Sequence, residues 1–428
     1  MKSTPAEDFK EPQFPLIEGE KVVFDDVEET KQSTDEELNL RYVKGDVRIV
    51  TESARYSLAG ILTMLQETVT NDSAKSTELR YKLDPEYQRR HRWNVERKSR
   101  LIESFLMNVP VPPVFLYEAD LARYEVMDGR QRLTALSDFY ANKFALKGLQ
   151  YWPELDGRTY STLPSKVRDG IDRRYISSII LLKETAATEE KAAALKKMVF
   201  ERLNSGGVRL SSQETRNAVF DGPLNQLCLQ LSADDKFRAM WRLPASPPED
   251  ESESADPEEL DASTEEGRRL FEKMEDVELV LRFFAYRQIR SFPAGLNRIS
   301  AFLDRFLREG NQFDKSVLEA YQELFLSTVS FVHDVLGVNG FARLGGKGST
   351  RPTKIVYDPI MYVAGQYGQR PDRERWLQGR EVVVDLLTKM FAEQSELFSG
   401  RRTNAADVEA RNQQVAAVFN GAADQLQA

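Results

Sequence analysis

At Asp128-Gly129 the hydrophobic pattern changes period, and that change constrains the fold more than any other feature of the chain. Before it, Tyr124, Val126 and Met127 surround Glu125 in a run of strand length. After it, Leu133, Leu136 and Phe139/Tyr140 fall on one face of a helix. A strand that turns through glycine into a helix leaves the first backbone N–H groups of that helix without intrahelical acceptors. Such an end attracts anions, phosphate above all. Arg130, Gln131 and Arg132 add side-chain donors there, and Asp128 adds an acceptor suited to a metal or a water. Read alone, the stretch fits an ordinary Asp-Gly turn as well as it fits a phosphate site.

The residues upstream favour the second reading. Leu83-Asp84-Pro85-Glu86-Tyr87-Gln88-Arg89 leads through Trp93 into an amphipathic helix containing Leu101-Ile102-Glu103-Ser104-Phe105. Val109-Pro110-Val111-Pro112-Pro113 then precedes the apolar run Val114 to Tyr117. This order, closed by the Asp-Gly run, resembles the N-terminal domain of GmrSD-type restriction endonucleases and related phage-defence proteins. The core of that family is similar to the ParB/sulfiredoxin nucleotide-binding fold. The likeness is dense over residues 50–145, thinner to about 220, and patchy beyond. A second block, Phe200 to Phe220, resembles the family's F-x-R-L-N-x-G-G-x-x-L-x-x-x-E pattern.

The resemblance implies an α+β, ParB/sulfiredoxin-like core followed by a mostly α-helical C-terminal domain. It implies an NTP as ligand, Mg2+ as cofactor, and a place in phage defence or DNA-modification-dependent restriction. Gln88, Arg89, Gly129, Arg130, Arg132 and Asn204 would bind the phosphates. Asp128 would position a metal or a water, and Gln131 would orient the water or bind a phosphate oxygen. Asn204 fits a helix C-cap equally well. Arg130 stands where the commonest family motif, D-G-Q-Q-R, has glutamine, which puts turnover rather than binding in question. Larger members carry a C-terminal HNH nuclease. Here His91 and His333 are the only histidines and neither lies in a matching constellation, so a separate nuclease or defence protein is the expected partner.

Composition narrows the alternatives. A formal net charge of −9 argues against a general polyanion-binding surface, while leaving room for a local basic cleft. The basic segment Arg80–Arg100 supplies one candidate and sustains a second reading, a non-catalytic module that senses DNA or regulates a partner. The single cysteine, Cys228, sits among leucines and reads as a buried, inert thiol. It excludes a disulfide framework, and sulfiredoxin-type cysteine chemistry is not expected. No apolar run approaches the length of a membrane span, and the N-terminus has no secretory pattern, so a cytoplasmic protein is expected.

Four regions follow: an acidic mobile arm (1–40), the nucleotide-binding domain (41–220), a helical connector with an acidic Pro/Ser-rich loop (221–266), and a helical domain (267–428). Within them, Val47, Ile49 and Val50 predict a strand, and residues 57–65 a helix. Asn94 is placed to cap the next helix, and Ser211 with Glu214 has capping-box spacing. Residues 175–182 predict a strand and 188–203 a helix. Later helices are expected over 314–336, 358–367, 372–396 and 404–427. A P-loop at 344–350 fails on spacing. A carboxylate nuclease motif through Asp84, Glu96 and Lys98 is of a kind common by chance.

Overall fold

The computed structural model describes residues 16–23, 34–44, 49–71, 76–83, 93–182, 189–203, 211–244, 264–289, 299–345, 351–399 and 405–426. The chain divides into two compact units. One comprises residues 30–210 and 217–219, the other residues 1–29, 211–216 and 220–428.

The first unit is α+β. It begins with α1 (Asp35–Lys44), β1 (Thr51–Ser57) and α2 (Ile61–Gln66), then β2 (Thr68–Asn71), β3 (Ser76–Leu79) and β4 (Tyr81–Lys82). After α3 (Val95–Leu106) come β5 (Val114–Asp120), β6 (Arg123–Asp128) and α4 (Arg130–Tyr140). It closes with α5 (Ser165–Asp172), β7 (Tyr175–Leu181) and α6 (Glu189–Leu203). Five strands form a mixed sheet in the order β1-β7-β5-β6-β4, while β2 and β3 pair separately. β6 runs antiparallel to β5 and parallel to β4.

Strand alternation sorts the side chains onto two faces. Val114, Leu116, Val126, Ile176 and Ile180 join a core completed by Ile61 and Leu65 of α2, Ile102 and Phe105 of α3, and Leu133, Leu136 and Phe139 of α4. On the opposite face Phe115, Tyr117, Met127 and Leu181 pack with Val199 and Phe200 of α6. The strand expected at 47–50 starts instead at Thr51, and residues 45–48 lie outside the described residues.

The second unit is helical: α7 (Ser212–Val219, whose last residues group with the first unit), α8 (Pro223–Leu231), α9 (Asp235–Trp241), α10 (Glu265–Glu272), α11 (Glu275–Tyr286) and α12 (Ile299–Gly310). It continues with α13 (Lys315–Leu336), α14 (Lys354–Tyr367), α15 (Glu374–Gln378), α16 (Arg380–Glu393) and α17 (Ala405–Gln425). Residues 221–244, expected as a connector, are helices of this unit; the acidic loop at 245–263 lies outside the described residues. The helix expected over 372–396 is broken at Gly379, where a Cβ would meet Leu426 Cδ1 at 2.2 Å. Cys228 is fully buried, and burial pushes its thiol up, as an inert core cysteine requires.

One expectation is corrected outright. The described part of the acidic arm is not an arm: residues 35–44 form a helix, and Glu20 is completely buried against Arg287.

Candidate functional site

The site is built where β6 ends and α4 begins. Gly129 adopts φ +91°, the left-handed region, so the chain reverses within one residue, and no side chain caps the helix that starts at Arg130. A Cβ on Gly129 would lie 2.5 Å from Val114 Cγ1 and 2.9 Å from Arg132 Nη2. Glycine is therefore demanded twice, by backbone and by space. The buried stripe of α4 pins the helix to the sheet and fixes the direction of its N-terminus.

Arg132 is recessed, with its side chain 11% exposed, while Asp128 is 44% exposed. Its guanidinium donates through Nη2 to Asp128 Oδ2 at 2.8 Å and through Nη1 to the Pro112 carbonyl at 2.8 Å. Two of its five N–H donors thus hold the turn, leaving Asp128 as the outward-facing member of the pair. Gln131 accepts from the Trp93 backbone N–H at 3.2 Å. That bond anchors the start of α3 to the first turn of α4. Gln88, Arg89 and Asn204 lie outside the described residues, as does Asp84 of the nuclease-like motif.

The basic segment divides by partner. Arg80 pairs with Glu67 at 2.9 Å, Lys98 with Asp138 at 2.9 Å, and Arg97 lies over the Trp93 ring at 4.7 Å. Asn94 caps α3 by accepting from the Arg97 N–H at 2.9 Å. Ser211 and Glu214 form the reciprocal capping box at the start of α7, which assigns Glu214 a structural role.

Two buried charges in this unit escaped the sequence reading. Lys196 of α6 is ion-paired with Glu125 of β6 and sits 5.0 Å from the centre of the Tyr117 ring. Glu103 of α3, 3% exposed, accepts from the backbone N–H groups of Gln150 (3.2 Å), Tyr151 (2.7 Å) and Trp152 (3.0 Å). The helical spacing of α3 put a glutamate beside Ile102 on the apolar side, and that was the available signal.

Among the described residues no group of three or more His, Cys, Asp or Glu side chains is arranged to hold a metal. No described helix is long and apolar enough to cross a membrane.

A mixed five-stranded sheet with helices on both faces defines an α+β domain. Residues 67–220 match the family model of the GmrSD restriction endonuclease, N-terminal domain, and over that stretch the chain is similar to this domain of a restriction system. No curated protein and no solved structure matches the chain.

Proposed function

We propose that the α+β unit binds the phosphates of an NTP at the start of α4 and serves in restriction or phage defence, with hydrolysis as its activity. The observation that carries this reading is the left-handed Gly129 delivering β6 into a helix with no side-chain cap. Backbone N–H groups and the positive end of the helix dipole converge there. Arg130 lies at the same turn, and Gln131 beside it accepts from the Trp93 backbone N–H.

Asp128 supports a role for Mg2+. The Arg132 guanidinium offsets part of the Asp128 charge, and Mg2+ would offset the remaining repulsion between this carboxylate and a phosphate at the same helix start. A lone carboxylate suits Mg2+, which binds through one or two carboxylates together with substrate phosphates. Arg132 acts as a positioning residue, since it holds Asp128 rather than facing outward. The ParB/sulfiredoxin-like kinship of the fold belongs to the same proposal.

The test is release of inorganic phosphate and thermal shift with each of the four NTPs and Mg2+, with and without DNA, for the native chain, Asp128→Asn and Arg130→Ala. A nucleotide-dependent shift weakened by Arg130→Ala, with turnover lost in Asp128→Asn, is the expected result. No shift and no phosphate release with any nucleotide would sink the phosphate reading. DNA binding that falls steeply with salt would then support the sensing module and its separate nuclease partner.

A further inference from the structure

The N-terminal segment Leu16–Val23 lies in the helical unit as a peptide lies in a receptor. A turn with an Ile17 C=O···H–N Glu20 bond of 3.1 Å, built on the left-handed Gly19, leads into extended chain. Side chains then alternate: Glu20 and Val22 are buried, whereas Lys21 and Val23 are exposed. Glu20 enters a slot where Arg287 Nη2 donates to Oε1 at 2.7 Å and Nε donates to Oε1 and Oε2 at 3.1 and 3.3 Å. The Gln288 side-chain amide reads the main chain on both sides of Lys21. Its Nε2 donates to the Glu20 carbonyl at 2.6 Å, and its Oε1 accepts from the Val22 N–H at 2.9 Å. A neighbouring β-strand would make the same pair of bonds. Arg305 Nη2 reaches the Val23 carbonyl at 3.4 Å.

We infer that the end of α11, with Arg287 and Gln288, is a receptor seat for an extended Glu-x-Val peptide, filled in cis by the chain's own residues 16–23. Main-chain bonds provide affinity and two alternate side-chain pockets provide specificity, the usual division in strand-type peptide recognition. The glutamate pocket accounts for most of the selectivity. A partner protein that presents an acidic residue two positions before a β-branched one takes the seat by displacing the strap. The seat belongs to the helical unit, so this inference is independent of the nucleotide reading.

The test uses the full chain carrying Glu20→Ala, which vacates the carboxylate slot, and a fluorescein-labelled synthetic peptide of residues 14–25. The peptide is expected to bind the variant saturably and the native chain at least about tenfold more weakly, because the tethered strap competes. A peptide with Glu20→Ala should bind about a hundredfold more weakly, since it leaves the buried guanidinium unpaired. Equal binding of the two peptides, or no binding to a variant that retains its native far-ultraviolet circular dichroism, overturns the inference. Should the variant fail to fold, hydrogen exchange at the Val22 amide of the native chain decides: faster exchange with excess peptide supports the seat, and unchanged exchange refutes it.

Discussion

Arg132 of α4 ties together the ends of two strands: one arm of its guanidinium holds Asp128 at the end of β6, the other holds the Pro112 carbonyl just before β5. The turn at Gly129 is therefore clamped from within the helix it begins. Arg132→Ala should cost about 2 kcal/mol, because two acceptors lose a charged donor. Arg132→Lys should recover little of this, since an ammonium cannot fork between two acceptors. Urea unfolding of both variants checks the claim. Equal stability of the lysine variant and the native chain would show that charge alone holds the turn.

Gly129→Ala should destabilise by about 2 kcal/mol or more, from left-handed strain combined with the clash. At φ +91° the added Cβ sits 2.5 Å from Val114 Cγ1. The two causes separate in part in a double variant. Adding Val114→Ala removes the 2.5 Å contact with Cγ1 but leaves those with Val114 Cβ and Arg132 Nη2 at 2.9 Å, together with the backbone strain. Relative to Val114→Ala alone, the second substitution should therefore cost less than it does in the native chain but still about 1 kcal/mol or more. Chemical denaturation of the four chains gives the cycle.

The ease with which this turn was read, against the opacity of other features, has a physical basis. β6 and α4 were legible because each buries one face, so each imprints its own period on the sequence, 2 before Gly129 and 3.6 after it. Asn94 and the Ser211/Glu214 box were legible because caps are local. β1 was not, since Thr51-Glu52-Ser53 is an exposed strand end held by pairing with β7 rather than by apolar residues. The short β4 and the β2–β3 pair leave too few residues to show a period. Glu20 and Arg287 were invisible for another reason: a buried ion pair between residues so distant looks, in sequence, like two ordinary surface charges. Of the candidate site, the order Asp128 to Arg132 was legible. That Arg132 faces inward to Asp128 and Pro112 was not, because it depends on where β5 passes.

Glu103 shapes the loop after α4. With its oxygens engaged by three successive N–H groups, it fixes Tyr151 and Trp152, which are 64% and 43% exposed. Glu103→Ala should cost about 1–3 kcal/mol and free the loop. Hydrogen exchange at residues 150–152 should accelerate before global unfolding, and the Trp152 emission should shift. Glu103→Gln should restore part of the protection, since its carbonyl oxygen still accepts. Unaltered exchange at these amides in the alanine variant would mean that the loop holds its shape without the carboxylate.

The helical unit should carry an acid-sensitive centre at Glu278. Burial alone would raise the pKa of this carboxyl, but Lys354, Arg216 and Arg282 outweigh burial and hold it at about 2, below its ordinary 4.5. Arg216, itself 1% exposed, donates to Glu278 at 2.8 Å and to Asp304 at 2.7 Å, and Lys354 reaches Glu278 at 3.2 Å. A carboxyl whose folded pKa is depressed binds its proton more readily in the unfolded chain. Its stabilisation is therefore complete above the unfolded value and is lost as pH falls toward the folded one. Between pH 4.5 and about 2 this should remove about 3 kcal/mol, the free-energy equivalent of the shift. Glu278→Gln should be less stable than the native chain at pH 7, because Arg216 and Lys354 lose their shared partner. The gap should narrow steadily as the native chain is acidified below pH 4.5. Urea midpoints of the two chains measured from pH 7 to pH 2.5 test this, and parallel curves with a constant gap would place the acid sensitivity elsewhere.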